Sequence, residues 1–106
     1  MEQKQFIYTL KLIPELIDPK NWTDKENQIV GNHFTRLKEL LNQGKLVLAG
    51  RTQTMDEDTF GIVILQVESE EEATLLMNDD PAVKEGVMTA EMFPYKVALF
   101  NHDFRA

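Results

Sequence analysis

Apolar and polar positions change period several times along this chain, and each change marks an element. From Gln5 to Ile13, Phe6, Tyr8, Leu10 and Leu12 alternate with Ile7, Thr9, Lys11 and Ile13 in a stretch that stops at Pro14. A period of two in aromatic and β-branched residues predicts a first strand. The following ELIDPKNW carries Pro19 and Asn21 and holds no period, so it predicts a loop, with Trp22 as its anchor. Thr23 with Glu26 three residues later is a capping box, and Ile29, Val30, Phe34, Leu37, Leu40 and Leu41 then recur at helical spacing until Gly44. This predicts the first helix.

Lys45 to Thr54 (KLVLAGRTQT) and Thr59 to Val67 (TFGIVILQV) predict two strands, joined by the acidic loop Met55, Asp56, Glu57 and Asp58 and paired as an antiparallel hairpin. Ser69 with Glu72 repeats the capping-box spacing, and Ala73, Leu76 and Met77 predict a short second helix. Its first turn holds Glu70, Glu71 and Glu72, which suit the positive end of the helix dipole. Asp80-Pro81 predicts another helical turn, with Pro at its first position and Gly86 as its stop. Val87 to Phe100 is the last extended segment, and Pro94 within it removes a ladder donor, which puts that strand at a sheet edge.

The order β-α-β-β-α-β is the split-βαβ, ferredoxin-like arrangement. The expected fold is α+β: a four-stranded antiparallel sheet with the first and third strands central and two helices on one face. A length of 106 residues suits a single domain spanning 1–106. In the third strand Phe60, Ile62 and Ile64 point one way and Val63, Leu65 and Val67 the other, so both faces of the sheet favour burial. Two helices cover one face only. Leaving three apolar side chains of the second face in water would forfeit about 1.5 to 3 kcal/mol each. A second copy of the sheet is the natural cover, which predicts a homodimer; the alternative is shielding by loops such as residues 14–22.

Composition narrows the chemistry. The formal charge is −7 with Lys and Arg scattered, so a phosphate backbone meets net repulsion and nucleic acid is not an expected partner. No cysteine is present, which removes disulfides, thiolate chemistry and Cys-based zinc or iron-sulfur sites. The N-terminal MEQKQFIYTLKL has no basic stretch followed by a longer apolar run, and nowhere do apolar residues approach the roughly 20 a spanning helix needs. The expected location is cytoplasmic, with no membrane partner. Neither a G-x-G-x-x-G nor a G-x-x-x-x-G-K-[ST] motif occurs, and His33 and His102 lack H-x-x-x-H spacing, so no cofactor and no metal is expected.

A helical wheel sets His33 between Ile29 and Leu40 on one side and Leu37 on the other, facing the sheet. An imidazole there must find a hydrogen-bond partner, which either holds one tautomer for acid-base work or merely satisfies the ring. Asp80, just before Pro81, is suited to cap the helical turn; Asp79 is its competitor, and spacing leaves open which carboxylate points inward. Arg51 is either a fixed positive charge for an anionic oxygen or a solvated strand-end residue.

The strings HFTRLKELLNQGKLVLAGRT, FGIVIL, SEEEATLLMNDDPAV and GVMTAEMFPYKVAL, covering nearly the whole chain, resemble the YciI-like family, also called the YCII-related domain. The resemblance implies a ferredoxin-like fold pairing into a dimeric α/β barrel. Its recurring His on the first helix and Asp before Pro fall on His33 and Asp80, a pair regarded in the family as a candidate active site. Relatives include a dehydrochlorinase acting on a chlorinated hydroxyquinol. A carboxylate beside His33 would favour the protonated ring and fix its orientation. Ser69 is the only serine and is already a helix cap, so no Ser or Cys hydrolase site is available. The expected activity is lyase- or isomerase-like proton transfer on a small acidic or phenolic molecule, by His33 with Asp80 orienting it and Arg51 in support. The alternative is a non-catalytic small-molecule-binding or structural homodimer in which His33 and Asp80 only satisfy one another.

Overall fold

The period of two along the first strand becomes an alternation of burial in the computed structural model, which describes residues 3–54 and 56–106. In β1 (Lys4–Leu12), Phe6, Tyr8 and Leu10 are buried and Ile7 and Thr9 between them are half-buried. β2 (Leu46–Arg51), β3 (Gly61–Val67) and β4 (Met88–Tyr95) complete one antiparallel sheet in the order β2-β3-β1-β4. The first and third strands are central, as the sequence predicts, and the strand bearing Pro94 is at the edge, with Pro94 opposite Phe6.

α1 (Asp24–Asn42) starts at a complete capping box: the Thr23 hydroxyl accepts from the Lys25 amide, and the Glu26 carboxylate accepts from the Thr23 amide at 2.7 Å. α2 (Glu70–Asp79) starts at Ser69, whose hydroxyl accepts from the Glu72 amide at 3.1 Å. The second box is only half made. Glu72 turns instead to Lys45 Nζ at 3.0 Å, and this hydrogen-bonded ion pair holds its carboxyl below the usual range. Instead of two helices there are three, because Pro81 starts a separate short α3 (Pro81–Lys84) after α2. Gly44 and Gly86, which follow α1 and α3, have φ of 78° and 76°, the left-handed conformation that ends a helix most readily at glycine.

All three helices contribute to one core against one face of the sheet, built on Phe6, Tyr8, Leu10, Leu37, Leu40, Leu46, Val63, Leu65, Val67 and Ala73. Phe34 and Leu41, expected in the apolar stripe of α1, are exposed instead, since Ile29, Leu37 and Leu40 define the buried line and these two lie to its side. The strands around the hairpin are shorter than the apolar runs suggest. Between β2 and β3, Thr52, Thr54 and Thr59 bond to one another through their hydroxyls, and the Phe60 amide donates to the Thr52 hydroxyl in place of a ladder partner. Met55 of the predicted acidic loop lies outside the described residues. β4 ends at Tyr95, so Lys96 to Phe100 of the predicted last strand leave the sheet.

The predicted loop over 14–22 folds into two 3-10 turns, Pro14–Leu16 and Pro19–Asn21, and Trp22 anchors it by donating its ring N–H to the Leu16 carbonyl at 2.6 Å. Leu16 and Trp22 pack with Ile29 of α1 and with Val87, on the helix layer rather than over the second face of the sheet. That second face carries an apolar row across all four strands, because Phe93 pairs with Ile7, Ile7 with Ile64 and Ile64 with Leu48. Leu48 and Phe93, at the two ends of the row, are 41% and 46% exposed. No helix among the described residues is long and apolar enough to cross a membrane.

Candidate active site

The site is assembled where α2 gives way to α3. Asp80 ends one helix and caps the next, and its Oδ1 accepts from the Ala82 amide at 3.0 Å, the bond that the Asp-Pro spacing predicts. The carboxylate is only 1% exposed and takes two further partners. His33 Nδ1, from α1, lies 2.6 Å from Oδ1, and the Tyr8 hydroxyl, from β1, donates to Oδ2 at 2.9 Å. A buried carboxylate is tolerated when donors surround it, and here a strand, a helix and a helix start each supply one.

The network gives Nδ1 of His33 an acceptor. Asp80 already accepts from two unambiguous donors, the Tyr8 hydroxyl and the Ala82 amide. Nδ1 then carries the proton and donates it, at the short separation of a charge-assisted bond. Nε2, on the far side of the ring, has no hydrogen-bond partner among the described residues. No buried side-chain nitrogen or oxygen among the described residues is unsatisfied, so Nε2 is reached from solvent. His33 lines a cavity of about 520 Å³, walled by Leu10 and Leu12 of β1, Ile17 and Trp22 of the loop, Val30, Phe34 and Leu37 of α1, and Phe60, Ile62 and Val63. The ring thus stands between a buried carboxylate and a largely apolar chamber, with Nε2 turned away from the carboxylate.

Of the remaining sequence candidates, Asp79 is exposed and sits 3.9 Å from Lys84 Nζ, so Asp80 is the inward carboxylate. Arg51 ends β2 on the cavity wall, exposed, in the company of Lys11, Asp56 and Glu57, and it enters no ion pair among the described residues. His102 lies in the tail, edge-on to Phe100 at 4.6 Å between ring centres. Among the described residues no group of three or more His, Asp or Glu side chains is gathered to hold a metal ion.

Tyr8 is the site residue that sequence reasoning passed over. Its phenol is pushed far above the ordinary tyrosine range, chiefly by burial, then by the negative charge of Asp80 and the hydrogen bond to it, with Arg36 opposing weakly. It therefore remains a donor at any ordinary pH. The available signal was its place in the inward set of β1, since a buried tyrosine brings a hydroxyl that must find an acceptor.

Comparison with known proteins gives this arrangement a context. The chain is similar to a 5-chloro-2-hydroxyhydroquinone dehydrochlorinase from Burkholderia phenoliruptrix, solved in complex with 2,5-dihydroxybenzoquinone. The two are 19% identical with a TM-score of 0.65, over 87% of this chain and 93% of that one, a likeness of fold. An uncharacterized protein from Thermotoga maritima is similar at 12% identity and a TM-score of 0.47, over 90% of this chain and all of its own. No curated protein matches the chain. Residues 10–96, most of the sheet together with every helix that builds the cavity and the His33–Asp80 contact, match the model of the YCII-related domain, and the chain belongs to that family.

Proposed function

We propose that this protein is a cofactor-independent enzyme of lyase or isomerase type that moves a proton on a small acidic or phenolic molecule, with His33 as general base and acid. The observation that carries this reading is the 2.6 Å contact of His33 Nδ1 with the buried Asp80, which leaves Nε2 free of the carboxylate on a ring that lines a cavity of about 520 Å³. Nε2 takes a proton from the substrate, Asp80 stabilises the imidazolium that forms, and the ring returns the proton to another atom or to a departing group. Arg51 on the cavity wall supplies a fixed positive charge for the oxygen on which negative charge develops. A Ser or Cys nucleophile is excluded, since there is no cysteine and Ser69 caps α2. The similar dehydrochlorinase catalyses a reaction of the lyase type, which supports elimination from a hydroxylated ring as the first chemistry to try.

The working unit of this proposal is a homodimer that buries the row Phe93, Ile7, Ile64 and Leu48 against a second copy, as the dimeric α/β barrel of the family implies. The test is a screen of small phenolic and acidic compounds, halogenated hydroquinones among them, with His33→Ala and Asp80→Asn as controls. Both variants should keep their oligomeric state and lose about 10² to 10⁴ in kcat/KM. Tight binding of a screened compound, retained in both variants with no turnover in any chain, would establish a non-catalytic binding or structural dimer instead.

A further inference from the structure

We propose that Tyr8 is a positioning residue of this site, acting through Asp80 to keep the proton of His33 on Nδ1. Its kinetic consequence rests on the proton-transfer function proposed above; its effect on the tautomer does not. Tyr8 precedes the segment that matches the family model, which begins at residue 10.

Packing alone does not require the hydroxyl. Tyr8 is fully buried at the middle of the central strand β1, between Val63 and Met92 in register, where a phenylalanine would fill the same core without bringing a polar group out of water. The hydroxyl reaches one acceptor, Asp80 Oδ2, 72 positions away in sequence. Asp80 Oδ1 is held by the Ala82 amide and offered to His33 Nδ1. With Oδ2 held by Tyr8, the carboxylate is kept from turning about its Cβ–Cγ bond, and Oδ1 stays opposite Nδ1. Without that donor Oδ2 would be buried and unpaired. Asp80 would then be free to rotate or to share the His33 proton, and the ring would gain access to the form protonated on Nε2, which cannot act as a base in the cavity.

The experiment is long-range ¹H–¹⁵N NMR of the His33 ring in the full chain, wild type and Tyr8→Phe, with steady-state kinetics alongside. The wild type should show the Nδ1–H form, and Tyr8→Phe a marked rise in Nε2–H with kcat down about tenfold and KM little changed. In an Asp80→Asn background Tyr8→Phe should add nothing to either readout, because its influence passes through the carboxylate. A folded Tyr8→Phe with wild-type tautomer and wild-type kcat would overturn the inference. A shifted tautomer in a protein that turns over nothing would uphold it while removing the proton-transfer function. Should Tyr8→Phe fail to fold, 3-fluorotyrosine at Tyr8 in a Tyr95→Phe chain keeps the shape and strengthens the donor. The His33 Nδ1 proton resonance should then move upfield as charge is drawn toward Oδ2, and an unmoved resonance would overturn the inference equally.

Discussion

The two faces of the sheet come from the same strands and obey the same alternation, yet they end in different conditions. On one face Tyr8, Val63, Leu65 and Val67 are at most 2% exposed beneath three helices. On the other, the row from Phe93 through Ile7 and Ile64 to Leu48 is close-set at its centre and open at both ends. Hydrophobicity alone does not distinguish the faces, since both are apolar. What separates them is whether the chain has enough helix to reach them, and 106 residues build one helix layer. In the proposed homodimer, the second face is where apolar side chains would serve association rather than folding.

The sharpest way to break that comparison is to make the same kind of cut on both faces. Leu65→Ala on the helix side should cost about 2 to 5 kcal/mol in denaturant unfolding, whatever the protein concentration. Ile62→Ala on the other face should cost much less at low concentration, the difference between the two faces narrowing as concentration rises and the proposed dimer forms. Equal costs at all concentrations would mean that the second face is covered within one chain.

A smaller effect is expected from Phe93→Lys, which sets a charge at the exposed end of the row. In a single chain such a surface change stays within about 0.5 kcal/mol, but sedimentation should show a monomer at concentrations where the wild type forms the proposed dimer. A variant that still sediments as the wild type would remove this face from the interface.

The smallest effect near neutral pH belongs to the helix-covered face, and it appears only in alkali. Folding raises the Tyr8 phenol above its unfolded value, so the folded state holds a proton that the unfolded chain releases. The corresponding stability is fully present below about pH 10. It is lost as the pH rises above that point, with a slope approaching about 1.4 kcal/mol per pH unit. In Tyr8→Phe this part of the alkaline decline should vanish, as unfolding curves between about pH 9 and 12 would show.

Much of the architecture was legible because it follows from local rules. The caps at Thr23, Ser69 and Asp80 and the edge position of Pro94 are consequences of backbone groups that need partners, or lack them, within a few residues. His33 was legible as a polar residue on an apolar stripe. The hairpin ends were less so, because a run of threonines can satisfy amides by hydroxyl bonds as well as by a ladder, and alternation cannot tell the two apart. Phe34 was misjudged for a related reason: helical spacing marks a broad stripe, and only the neighbouring elements decide how much of it they cover. Tyr8 escaped because periodicity assigns a side chain to a face and says nothing of which polar atom, 72 residues on, waits there.

Asp80 holds the start of α3 and the hydroxyl of β1 as well as the ring of His33, so its duty to folding and the one proposed for it in chemistry reside in the same two oxygen atoms. The histidine carries no such double obligation, for its loss would leave the carboxylate with two donors still in place. If the proposed proton transfer were abandoned in a descendant, selection for a stable chain would preserve the aspartate long after the histidine had drifted. On the proposed function, then, the imidazole rather than the acid would be the mark of a working enzyme.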